Sequence, residues 1–124
     1  MQNPYIPMPV EVVKIVTEVD SKDIKTFRLA FVNKEDEERF RYLPGQFAEL
    51  SILGKGECPI GIASSPTETG YVEFTVQRAG TLVAGMVTTA LHDLDVGARI
   101  GVRGPLGNAW PLEYLEGKDV VVVG

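Results

Sequence analysis

An all-β fold, a small six-stranded antiparallel barrel with one short helix, is what this sequence predicts. Three observations carry the prediction. Thirteen glycines and eight prolines punctuate the 124 residues at short intervals, and sixteen valines supply β-branched side chains. Several runs between those breakers alternate apolar and polar residues at period two. Only one stretch changes to helical spacing.

The elements follow in order. Residues 1–9 carry Pro4, Pro7 and Pro9 and are expected to form an extended, irregular arm. Val10 to Val19 reads as a first strand whose alternation breaks phase between Val12 and Val13, the mark of a bulge. Ile24 to Phe31 is a cleaner strand, with Phe27, Leu29 and Phe31 on one face and Thr26 and Arg28 on the other. Asn33 to Arg41 holds Glu35-Asp36-Glu37-Glu38 and reads as a solvated loop. Further strands are expected at Gln46–Leu53, Gly61–Ser64, Tyr71–Arg78 and Arg99–Arg103. From Gly85 to Leu94, Met86, Ala90, Leu91 and Leu94 recur at helical spacing, with Gly97 where a helix stops. Val120 to Val123 is apolar at every position, as in a parallel strand buried on both faces, and a glycine follows it. The expected organisation is an arm over 1–9, a barrel over 10–117, and over 118–124 the first strand of a missing nucleotide-binding domain.

Composition narrows the function. The formal net charge of −5 disfavours nucleic acid and anionic membranes as partners. A single cysteine, Cys58, excludes an internal disulfide and any multi-cysteine metal or iron–sulfur site. No apolar run reaches the ~20 residues of a membrane span, and no signal peptide precedes Val10, so a reducing cytoplasmic setting is expected. His92, beside Asp93, is expected to be an exposed helical histidine, and Cys58 a buried apolar residue. No catalytic acid, base or nucleophile and no metal ligand set emerges.

Four segments stand out. Pro44-Gly45-Gln46-Phe47 enters a strand, Cys58-Pro59-Ile60-Gly61-Ile62-Ala63-Ser64 follows, Gly85-Met86-Val87-Thr88 opens the helix, and Arg103-Gly104-Pro105-Leu106-Gly107 precedes the terminal strand. In this order they resemble the flavin domain of the ferredoxin–NADP reductase superfamily. The resemblance covers Val10 to Gly124. The nearest branch is the gamma and electron-transfer subunits of sulfhydrogenase, anaerobic sulfite reductase and dihydroorotate dehydrogenase. It implies a Greek-key barrel that binds FAD at its edge. It also implies NAD(P)H acting through the missing domain, and hydrogenase-type or iron–sulfur partner subunits.

The resemblance also implies site residues. Pro59, Ile60, Gly61 and Ile62 match the family's flavin-binding strand. Its usual Arg is Cys58 here, its Tyr is Ile60 and its Ser is Gly61. Lys55 or Arg78 are the candidates to replace the missing charge. Val76, Gln77 and Arg78 match the strand that meets the pyrimidine end of the flavin through backbone groups. Gly85, Met86, Val87 and Thr88 match the Gly-x-x-Ser/Thr turn at the pyrophosphate. A helix start suits that anion, because its first N–H groups are unpaired and its dipole is positive there. Phe47 is expected in the core, and Trp110 either packs locally or covers a domain junction. Two alternatives remain open: a non-catalytic barrel interaction module that has lost flavin binding, and a barrel that holds FMN.

Overall fold

A computed structural model describes residues 5–78 and 82–123, with backbone alone for 82–84. Asn3 and Pro4 of the expected arm, and Gly124 of the expected final strand, lie outside the described residues. Six strands form one antiparallel sheet: β1 (Met8–Thr17), β2 (Ile24–Phe31), β3 (Phe47–Ile52), β4 (Gly56–Gly61), β5 (Val72–Gln77) and β6 (Arg99–Leu106). Among the described residues three helices accompany them, α1 (Lys34–Arg39), α2 (Leu82–His92) and α3 (Leu112–Leu115). The strand order is β4-β3-β6-β1-β2-β5. Neighbours such as β3 with β6 and β2 with β5 are not consecutive, which makes the sheet Greek-key rather than up-and-down. An isolated bridge between Ile62 and Phe74 joins the two ends and closes the barrel.

The alternating strands fold as their periodicity dictates. In β5, Val72, Phe74 and Val76 are buried. In β2, Phe27 and Leu29 are buried while Thr26 and Arg28 turn outward to Thr75 (Oγ1–Oγ1 2.8 Å) and Glu73 (3.1 Å) across the ladder. The phase break in β1 is a bulge: Val12 pairs with Leu29 and Lys14 with Arg28, so Val13 has no opposite residue. Val10 and Val12 therefore point inward before the bulge and Ile15 after it.

Four expectations change. β1 begins at Met8, where Pro9 already pairs with Gly101, so the irregular arm is shorter than nine residues. The acidic segment is not a solvated loop. It forms α1, with Asp36 buried against Asn33 and Arg39 because Phe40, packed on Phe31 and Tyr42, anchors the turn in the core. β4 spans Gly56–Gly61 rather than Gly61–Ser64, because its partner Phe47–Ile52 fixes the register. β6 runs on to Leu106, paired with Phe47. Val120 to Val123 pair with nothing among the described residues and are mostly exposed, Val121 at 87%.

Helix α2 also differs. It begins at Leu82, and its buried stripe is Val87, Thr88, Leu91 and His92, while Met86 is 51% exposed. Apolar periodicity alone cannot find a stripe that buries a threonine and a histidine; hydrogen bonds make that burial tolerable. The contact between the two turns has a packing basis. Gly45, at φ +102°, leaves room for Trp110, whose Cδ1 would lie 2.8 Å from an added Cβ. The Trp110 N–H donates to the Pro44 carbonyl at 2.8 Å, and Gln46 Nε2 donates to the Gly107 carbonyl at 2.9 Å. Trp110 thus packs locally on the Pro44–Gly45 turn while about half exposed. No helix among the described residues is long and apolar enough to cross a membrane.

Two outcomes follow from this packing. Deleting residues 119–124 should leave a cooperative thermal transition, since no side chain of Val120–Val123 enters the core; a molten, dye-binding product would contradict it. Phe74→Ala, at the closing rung and fully buried, should lower stability by about 3–5 kcal/mol in urea unfolding.

Candidate functional site

β4 and β5 are the edge strands of the sheet, and they meet only at the Ile62–Phe74 bridge, where the Ala63 N–H also donates to the Glu73 carbonyl at 2.8 Å. Beyond that rung the two edges have a sheet neighbour on one side only. The antiparallel continuation sets Pro59-Ile60-Gly61 towards Thr75-Val76-Gln77. Helix α2 packs against β3, β4 and β5 beside this opening. The fold therefore brings together the three segments expected from sequence.

Along β4, Pro59 and Gly61 are exposed, and Ile60 and Ile62 are half-buried against the core. A Cβ built on Gly61 would meet nothing within 4 Å, so the backbone there is bare and approachable. Along β5, Val76 is buried, whereas Gln77 and Arg78 are exposed. The Arg78 guanidinium lies 3.9 Å from the Asp93 carboxylate. Along α2, Gly85, Val87 and Thr88 are buried and Met86 is exposed. Gly85 is the fourth residue of α2 and Thr88 the seventh, so the expectation that this motif opens the helix is corrected. The Thr88 hydroxyl donates to the Gly85 carbonyl at 3.4 Å, inside the protein. The described part of α2 begins at Leu82.

Cys58 is buried in the core, beside Leu50 in the β3–β4 register. Burial pushes its thiol pKa up, and the Glu49 carboxylate adds to the shift. It supplies no positive charge. Lys55 is exposed on the β3–β4 turn. Among the described residues no group of three His, Cys, Asp or Glu could hold a metal ion.

Sequence reading missed His92. It is 3% exposed, and its Nε2 lies 2.8 Å from the Val76 carbonyl, while its own carbonyl accepts from Lys25 Nζ at 3.1 Å. Its place four residues, about one turn, beyond buried Thr88 on the same helix face was the available signal.

The opening suits a flavin. Two free strand edges offer backbone donors and acceptors, bare Gly61 beside Ile60 can admit a flat ring, and a helix start lies nearby for an anion. Comparison with known proteins agrees. The oxidoreductase FAD-binding domain family matches residues 11–110, and the chain belongs to that family. Its cofactor is FAD. The chain is 38% identical over 121 residues to the sulfhydrogenase 1 gamma subunit of Pyrococcus furiosus, covering 98% of this chain and 39% of that protein. It is 35% identical over 124 residues to a probable dihydroorotate dehydrogenase B (NAD(+)) electron transfer subunit of Methanocaldococcus jannaschii, covering 100% and 38%. The chain thus spans about two-fifths of the length of these relatives. The structure of an NADH-dependent reduced ferredoxin–NADP oxidoreductase matches with a TM-score of 0.63 at 27% identity, over 82% of this chain and 33% of that one. Ferredoxin–NADP+ reductase from Plasmodium falciparum shares the fold, with a TM-score of 0.70 at 14% identity over 89% and 42%.

The raised pKa and burial of Cys58 have a direct readout. At pH 8 an aromatic disulfide reagent should label it far more slowly in the native chain than in denaturant, because a raised pKa keeps the thiol protonated to higher pH than in a free cysteine. Equal rates would show that the residue is accessible.

Proposed function

We propose that this chain holds the flavin of an NAD(P)H-linked electron-transfer subunit, which passes electrons between a nicotinamide nucleotide and an iron–sulfur partner. The single observation that carries the reading is the open β4–β5 edge beside α2, in a chain of the FAD-binding family. The names of its relatives, gamma and electron transfer subunits, support the electron-transfer role and partner subunits of hydrogenase type.

FAD, when bound, supplies the redox chemistry: two-electron exchange with nicotinamide and single-electron exchange with a metal centre. The chain binds and orients. Ile60 offers an apolar surface for the ring, and the backbone of Pro59, Gly61 and Ile62 offers polar groups along its edge. Val76 contributes backbone alone, because its side chain is buried, and Gln77 and Arg78 reach the outer rim. At α2, Gly85, Val87 and Thr88 contribute backbone and support while Met86 faces out. The pyrophosphate falls to the N–H groups of the first helical turn, with Arg78 and Lys55 as the nearby cations in sequence. The exposed run Val120–Val123 is the start of a nucleotide-binding domain, which would bury it and bring NAD(P)H to the ring.

A second reading has its own support. Cys58 is buried and uncharged where the resembling proteins carry arginine, which favours a barrel that serves as an interaction module without flavin. Titrating FAD and FMN against the chain separates the readings. Saturable quenching of FAD fluorescence, with FMN roughly tenfold weaker for want of the second phosphate and adenosine, supports the proposal. No quenching by either flavin favours the interaction module, and equal affinities favour an FMN site.

Two further outcomes are expected. Gly61→Val should fold, because the added side chain enters open space, yet weaken FAD binding by about tenfold or more by filling the ring's approach. With FAD bound, the 124-residue chain should lack NADH turnover, since the nucleotide-binding domain would begin with the strand over 118–124. Flavin bleaching by NADH at the rate of an intact reductase would refute that division.

A further inference from the structure

We infer that His92 is a positioning residue, whose imidazole ties the C-terminal end of α2 to the Val76 carbonyl and thereby fixes the β5 edge that faces the flavin. This inference rests on the FAD placement proposed above.

The geometry sets the tautomer. His92 Nε2 lies 2.8 Å from the Val76 carbonyl oxygen, and a carbonyl can only accept. Nε2 therefore carries the proton. In the neutral ring Nδ1 is then a bare acceptor, and it is buried with no hydrogen-bond partner among the described residues. A residue needed for packing alone would not carry an unpartnered buried nitrogen; leucine or phenylalanine would fill the space without that cost. The hydrogen bond to Val76 is what the histidine adds.

The surroundings make this bond a clamp. The His92 carbonyl accepts from Lys25 Nζ at 3.1 Å, and Lys25 is the register partner of Val76. One residue of α2 thus grips both members of one β2–β5 rung. The next residue, Asp93, lies 3.9 Å from Arg78. The Phe27 ring stands edge-on to the imidazole, with centroids 6.1 Å apart, and limits its lateral shift. Strand β5 has no second sheet partner along Thr75–Gln77, so its distance from α2 depends on these links. Both flavin-facing segments, Val76–Arg78 and α2, move together or not at all while the clamp holds.

The test compares His92→Gln, which keeps an N–H donor at similar reach, with His92→Leu, which keeps volume and loses the donor. Each full chain is titrated with FAD by fluorescence quenching, the visible spectrum of the bound flavin is recorded, and folding is checked by its thermal transition. His92→Leu should bind FAD about tenfold more weakly and shift or blur the flavin bands. His92→Gln should stay within about threefold of the parent with its bands preserved. Parent-like binding and bands in His92→Leu would overturn the inference, as would equal losses in both variants, which would make the ring's packing the cause. Should His92→Leu not fold, 15N spectra of the parent chain decide. The Nε2–H tautomer, with its resonance moving as FAD is added, supports the clamp. An Nδ1–H tautomer, or a resonance unmoved at FAD saturation, refutes it. A parent chain that binds no flavin overturns the site itself and the inference with it, an outcome distinct from every variant result.

Discussion

The barrel closes on one rung, and the rest of its organisation depends on that. A six-stranded sheet with two free edges would leave two rows of unpaired backbone groups. Here the edges meet at Ile62 and Phe74 and part immediately afterwards. The bridge holds the β-barrel core, with Phe74 fully buried, and the parting leaves an opening whose polar lining is backbone. Closure and the two unpaired edges thus come from the same geometric incompleteness: more rungs would strengthen the barrel and cover the edges offered to the proposed flavin.

Helix α2 braces that opening. It packs on β3, β4 and β5 through Val87 and Leu91, and it buries two polar side chains beside them. Thr88 finds a carbonyl in its own helix and His92 finds one in β5. A buried hydrogen bond of this kind contributes only about 0.5–1.5 kcal/mol. The bond therefore specifies where the helix sits more than it stabilises the fold.

Charge is the constraint on cofactor binding. The chain is acidic, with a net charge of −5, and an FAD pyrophosphate is anionic. The surface ion pairs, such as Arg103 with Glu57 at 3.1 Å, consume much of its positive charge, and Cys58 supplies none. Oriented backbone adds to the remaining cations such as Lys55: helix N–H groups and strand edges, whose dipoles do not depend on side-chain identity. Under the proposed FAD placement, such backbone groups would serve where Cys58, Ile60 and Gly61 stand in place of the resembling family's Arg, Tyr and Ser.

Period-two alternation by itself determined β2 and β5, because a strand with one buried face writes its register into every second residue. It also determined the bulge after Val12, since a phase slip leaves two successive residues, Val13 and Lys14, facing out. The four ordered motifs identified the flavin family and the three segments that the fold brings together. Only the tertiary structure decided the rest. The bounds of β4 came from pairing with β3, not from its own Pro- and Gly-rich residues. The acidic segment became a helix because Phe40, packed between Phe31 and Tyr42, anchors it in the core. His92 was buried because the Val76 carbonyl faces it, and a hydrogen-bond partner supplied from another element leaves no trace in local sequence. Local pattern encodes which face of a segment is apolar; which polar groups meet across the fold is set only when the chain closes.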